Sequence, residues 1–231
     1  MLISHKYRII FIHIQRTGGT SMINAFVEAD PHIIQEVAVE PHKKRIKHCF
    51  ISDIQPRVAP EIFADYTKFT VVRNPYERLL SWYLMFKHDT MGDMSTVIGK
   101  PVTEEEIPAF LGKPTAHGLV WFNKIKASMK PYMNSFDDFL TMPNEGWYQR
   151  FYYNQLDYLQ INEHLAVDKI LRFENLSDDF NHFSKQLNFN NRLSHINKSV
   201  SNNYRKAYNE TSRKIVAQRF KKDLDFFGYD F

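Results

Sequence analysis

The chain has 231 residues, 43% hydrophobic and 24% charged, with a formal net charge of +4. That length can bury a substantial core and that balance excludes a disordered or fibrous chain, while no run approaches the roughly 18 apolar residues of a membrane span. A mild positive charge with pI near 9.0 suits an anionic partner such as a nucleotide or an acidic glycan and is too small to argue for nucleic acid.

One cysteine, Cys49, excludes an internal disulfide. With no signal peptide ahead of the first expected strand, the sequence predicts a cytoplasmic protein without stable membrane insertion. Three Asn-x-Ser/Thr sequons, at Asn175, Asn197 and Asn209, then read as chance. Nineteen Phe and twelve Tyr predict a core rich in rings, with some left to stack on a base or sugar. No repeat, low-complexity tract or linker divides residues 1–231, which read as a single domain.

In chain order, Arg8 to Ile14 is a near-continuous apolar, β-branched run, the pattern of a strand buried on both faces of a parallel sheet. Gly18 and Gly19 break it, and apolar residues recur at Met22, Ala25, Phe26 and Ala29 with helical spacing. Such a strand, turn and helix aim free N–H groups at whatever lies above the turn. An anion suits that place, and Arg16, Thr17, Thr20 and Ser21 add a charge and hydroxyl donors. Gln15 to Ser21 lacks the G-x-x-x-x-G-K-[ST] of nucleoside-triphosphate loops and the G-x-G-x-x-G of dinucleotide folds. A plain glycine turn remains the alternative for this stretch alone.

Pro31 to Glu40 reads as a loop or short strand, and Pro41 to His48 as a basic, solvated cluster. Ser52 with Gln55 three residues on predicts a capped helix to about Phe63, and Thr67 to Val72 a second buried strand. Asn74, Pro75 and Glu77 supply an N-cap, a first-turn proline and a carboxylate able to bond back to the cap, opening a helix to about Lys87. Residues 88–120 are punctuated by Gly and Pro and read as loops, surface or acceptor-binding, with one short helix from Thr103 to Leu111.

Ser135 to Thr141 and Trp147 to Gln160 read as helices, Asp168 to Phe173 as a third buried strand and Leu176 to Leu187 as a helix. Asn190 to Tyr204 reads as a polar loop and about Thr211 to Phe227 as a closing helix. Strands separated by helical segments predict an α/β three-layer sandwich around a mostly parallel sheet.

Gln15-Arg16-Thr17-Gly18-Gly19-Thr20-Ser21 resembles the 5′-phosphosulfate loop, usually P-K-T-G-G-T-S, of sulfotransferases that use 3′-phosphoadenylyl sulfate (PAPS), and Phe11 to Ile14 resembles the lead-in of their carbohydrate branch. Phe69 to Arg73, Asn74-Pro75 and Ser81, eight residues after the Arg, resemble the 3′-phosphate motif of the same family. Gln155 to Tyr158, Lys169 to Leu176 and Asp223 to Tyr229 are similar to the bacterial and Golgi-type carbohydrate enzymes, among them the heparan sulfate 2-O- and 6-O-sulfotransferases. The likeness spans nearly the whole chain and is weakest over 88–145. Arg16 stands where the family has lysine and Gln15 where it has proline; arginine keeps the charge on a larger, flatter donor.

The resemblance implies the family's P-loop-like fold and sulfuryl transfer from PAPS to a hydroxyl, with release of PAP and a carbohydrate or other hydroxyl-bearing acceptor. In that reading Arg16 and the amides of Thr17 to Thr20 meet the 5′-phosphate, Arg73 and Ser81 hold the 3′-phosphate, and Lys198 contacts the nucleotide from a C-terminal loop. His48 is the general base, its imidazole able to take a proton near neutrality. No step needs a metal, and His42, His48 and Cys49 lack the spacing of a zinc site. A P-loop-like kinase of small metabolites is one alternative, against which the missing Gly-Lys-[Ser/Thr] end counts. A non-catalytic PAP-, nucleotide- or glycan-binding protein is the other.

Overall fold

Three strands run parallel and end side by side: β2 (Ile9–Ile12), β5 (Thr67–Val72) and β8 (Lys169–Arg172). In this computed structural model the described residues are 1–35, 37–39, 44–46, 48–87, 127–190, 193 and 204–231. A short β1 (Leu2–Ser4) adds antiparallel to β2, giving the order β1-β2-β5-β8. Three residues are too few to show a period, which is why β1 escapes a reading of pattern. The first expected strand is narrower than its apolar run, because Arg8 turns into the left-handed region at φ 51°.

Alternation along β2 and β5 sends their side chains into two separate cores. Ile9, Phe11, Phe69 and Val71 pack with Met22 and Phe26 of α1 (Gly19–Ala29) and with Phe180 and Phe183 of α6 (Leu176–Gln186). Ile10, Ile12 and Val72 pack on the other face with Ile51 and Ile54 of α2 (Ile51–Ile54) and with Leu156 and Tyr158. Helical layers thus cover both faces of a mostly parallel sheet, the expected α/β sandwich. A third cluster joins α4 (Pro75–Lys87), α5 (Phe136–Leu140) and α7 (Glu210–Arg219) through Trp82, Phe139, Phe151 and Val216. Among the described residues no helix is long and apolar enough to cross a membrane.

Several expected elements are remade, each for an identifiable reason. β3 (Val37–Val39) falls in the segment read as a loop or short strand, and its antiparallel partner β4 (Lys44–Ile46) lies in the segment read as basic surface. The helix expected from Ser52 to Phe63 is divided by Pro56 and Pro60. α2 ends at Ile54, and α3 (Pro60–Asp65) starts afresh on its own proline. Asp53, rather than Gln55, returns its carboxylate to the helix start, at Phe50 N–H (3.0 Å).

The helix expected over Trp147 to Gln160 is instead two 3₁₀ turns, Gly146–Phe151 and Leu156–Leu159. A small hairpin follows, of β6 (Gln160–Ile161) and β7 (His164–Leu165). The amides of Asn154, Gln155 and Leu156 donate to the carboxylates of Asp157 and Asp223, so no α-helical ladder forms there. The closing helix breaks at Phe220, whose ring is buried, into α7 and α8 (Lys221–Phe227), and Gly228 ends α8 at φ 66°. Ser135 caps α5 as expected, its Oγ accepting from Asp138 N–H at 3.0 Å. The helix expected at 103–111 and most of the 190–204 loop lie outside the described residues.

The strand ends are fixed by one buried amide. Gln155 accepts from Arg73 N–H and donates to Arg73 C=O, both at 2.8 Å, and its Nε2 also reaches Asp223 at 3.1 Å. Gln155→Met keeps the volume and removes three buried hydrogen bonds. It should destabilise the protein by about 3 kcal/mol or more in urea unfolding; a loss below about 1 kcal/mol would show that this clamp does not hold β5.

Candidate active site

Because β2, β5 and β8 end together, their next residues meet: the loop Ile14 to Gly18, then Arg73, then Phe173. Crevices outside the carboxyl ends of parallel strands are where α/β folds bind ligands. The loop needs two left-handed residues, Arg16 at φ 67° and Gly18 at φ 82°. At Gly18 a β-carbon would also lie 3.0 Å from the Phe173 ring. Gly19 is needed for space, since a β-carbon there would stand 2.2 Å from the ring of His13. Thr17 is fully buried and closes the turn through its own hydroxyl, which donates to Ile14 C=O at 2.9 Å. Ser21 N–H returns to Gly18 C=O (3.1 Å), Thr20 is exposed, and no side chain caps the start of α1.

Arg73 is 2% exposed. Its Nη2 donates to Glu77 at 2.7 Å, its Nη1 to Arg16 C=O at 3.1 Å, and its guanidinium lies 4.0 Å over the Phe173 ring. Glu77 was expected to bond back to the helix cap, and the arginine outbids that bond. The cap amide of Asn74 donates instead to Glu174 at 2.6 Å, while Asn74 Oδ1 accepts from Tyr76 N–H at 3.0 Å. Arg16 bridges the two motifs: its Nε and Nη2 donate to Ser81 Oγ at 3.1 and 2.8 Å. Burial, reinforced by the charge of Arg73, pushes the Arg16 pKa down to about 10.

His48 reaches the same loop. Its Nδ1 lies 3.0 Å from the carbonyl oxygen of His13, and the two rings are 4.2 Å apart. A carbonyl only accepts, so Nδ1 carries the proton and the lone pair of the neutral ring is on Nε2. Cys49 beside it is buried, which pushes its thiol up to about 11 and away from nucleophilic use.

The structure therefore assembles Arg16, Thr17, Gly18, Gly19, Thr20, Ser21, Arg73 and Ser81, with His48 joined to them through His13. Gln15 differs: its side chain turns into the core, where Oε1 accepts from Tyr158 OH at 3.0 Å. Lys198 and the side chains of Lys43, Lys44, Arg45 and Lys47 lie outside the described residues. His13, Glu77, Phe173 and Gln155 were missed as site residues. His13 alone left a signal, a polar residue inside an otherwise apolar strand run.

A glycine turn at a strand end, an open helix start and two neighbouring guanidiniums thus gather at one edge of the sheet of an α/β protein. The chain belongs to the sulfotransferase family, whose family model matches residues 1–230. Sulfuryl transfer is the chemistry of that family. Comparison with curated proteins gave no match.

The contact between His13 and Gly19 can be tested by a double-mutant cycle. Gly19→Ala should cost about 1–3 kcal/mol in urea unfolding, as an overpacked site does. With His13→Ala already in place, most of that cost should vanish. An undiminished cost would place the clash elsewhere.

Proposed function

We propose that the protein transfers a sulfuryl group from PAPS to a hydroxyl of a carbohydrate acceptor and releases PAP, from a P-loop-like strand, turn and helix. The observation that carries this reading is the Arg16–Ser81–Arg73 group beside the uncapped start of α1. Two guanidiniums set close enough that one depresses the other's pKa are costly unless an anion joins them, and Glu77 is the carboxylate in contact with Arg73. The donor set fits a nucleotide with phosphates at both ends: backbone amides and a cation at the loop, a cation and a hydroxyl at the head of α4.

PAPS supplies the sulfuryl group, carried on its 5′-phosphate. Arg73 and Ser81 hold the 3′-phosphate and so fix the donor's position. Ser81 then exchanges its bond to Arg16 for one to the phosphate. Arg16 turns toward the 5′ side, where it and the amides of Thr17 to Thr20 offset charge on the departing phosphate. His48 accepts the acceptor's hydroxyl proton on Nε2 as that oxygen forms its bond to sulfur and the bond from sulfur to the 5′-phosphate oxygen breaks. Lys198 joins the nucleotide from the C-terminal side.

Ligand binding to the native state raises its melting temperature. PAP without metal should therefore raise it more than ATP at equal concentration, because ATP lacks the 3′-phosphate that Arg73 and Ser81 await. Equal shifts would remove these two residues from the 3′-phosphate site.

His48→Ala should lower kcat by roughly 10²- to 10⁴-fold, the range of a lost general base, and leave PAP affinity by calorimetry unchanged. Turnover that survives moves the base to another residue. Joint loss of turnover and PAP binding makes His48 a structural residue.

A further inference from the structure

Arg16 is a non-glycine residue held at φ 67°, a conformation that persists only where its surroundings over-determine it. The peptide groups on either side of it show how. Arg73 Nη1 takes the carbonyl of Arg16 at 3.1 Å, and Arg78 Nε takes the carbonyl of Gln15, also at 3.1 Å. Two arginines at the head of α4 thus seize successive carbonyls of the loop. Gln15 is fixed a second time through its side chain, by the hydroxyl of Tyr158 at 3.0 Å.

Arg78 is an unusual donor for so simple a task. It is 2% exposed, and burial pushes its pKa down. Its Nη1 goes to a second carbonyl, that of Tyr153, at 3.1 Å, and its Nη2 has no partner among the described residues. A buried guanidinium is ordinarily matched by a touching carboxylate. Here Asp223 acts only through space, its two oxygens being occupied by Gln155 and Leu156. Tyr158 is buried as well, with its ring stacked on Phe50 at 4.5 Å. Both side chains are buried and both donate to Gln15, Arg78 to its carbonyl and Tyr158 to its side chain.

We propose that Arg78 and Tyr158 are positioning residues for the 5′-phosphate arm of the site: by holding Gln15 from below they set the place and strained conformation of Arg16 and of the amides that follow. The proposal rests on the nucleotide reading given above. It also gives Gln15, which stands where related loops carry a rigid proline, a physical role. An anchored glutamine replaces the ring's restriction of the backbone with two hydrogen bonds.

The experiment compares two nucleotides by calorimetry, PAP and adenosine 3′-phosphate, which differ only in the 5′-phosphate. Wild type, Tyr158→Phe and Arg78→Lys are titrated with each. Tyr158→Phe removes one hydroxyl and leaves the ring packed. Arg78→Lys keeps the charge and cannot reach both carbonyls. In both variants PAP should bind about tenfold more weakly or worse, the scale of one buried hydrogen bond lost from binding. Adenosine 3′-phosphate, held by Arg73 and Ser81, should change less than about twofold on the same scale.

A merely structural role would weaken both ligands together, and that result overturns the proposal, as does an unchanged PAP affinity. If Arg78→Lys does not fold, Tyr158→Phe decides alone. A wild type that binds PAP no more tightly than adenosine 3′-phosphate would instead contradict the nucleotide reading, and the proposal would fall with its premise.

Discussion

The paired hydrogen bonds between the Gln155 amide and both backbone groups of Arg73 are the constraint on which the site depends. A strand's last residue normally frays, having no further ladder to join. Here a side chain imitates a neighbouring strand and carries the regular pairing one residue past β5. Asp223 holds the clamp in turn, spending its carboxylate on the Gln155 amide, Gln155 N–H and Leu156 N–H. A wholly buried carboxylate is tolerable because those donors replace its water, although burial still raises its pKa. The fixed backbone of Arg73 then fixes the side chain that grips the loop and stacks on Phe173.

From that point the site is a set of cations held together against their own repulsion. Arg73 and Arg78 stand at the head of α4 and bond loop carbonyls, while Arg16 comes from the loop after β2 and bonds the Ser81 hydroxyl. Glu77 touches one of them. Such an arrangement lowers the stability of the empty protein and raises its appetite for an anion, the exchange expected where function and fold compete. The apolar walls on both faces of the sheet supply the stability that the crevice gives up.

Much of this was legible in the sequence, and the part that was not has a common cause. The three parallel strands, the glycine turn, the helix behind it and the Asn74-Pro75 start all follow from local rules of burial, steric freedom and capping. Arg73 and Ser81 were singled out by the family motif that they resemble, which lies within one strand end and one helix. Gln155 and Asp223 were not, because they are 68 residues apart and polar, and nothing local distinguishes a buried clamp from a solvated side chain. The same blindness turned the 147–160 segment into a helix, since its amides are claimed by carboxylates elsewhere in the chain. Glu77 was assigned to the nearest donor, the cap N–H, when a buried arginine stood one turn away. Gln15 was read with the loop whose motif it shares; its direction depends on Tyr158, which sequence order places far off.

A crystal structure of the protein with PAP tests the central claim most directly, that the ends of β2 and β5 hold the two phosphates of one nucleotide. The account predicts the 3′-phosphate between Arg73 and Ser81, the 5′-phosphate over the amides of Thr17 to Thr20, and Arg16 turned away from Ser81 toward it. A nucleotide bound elsewhere, or bound with Arg16 still on Ser81 and the loop amides empty, would contradict it.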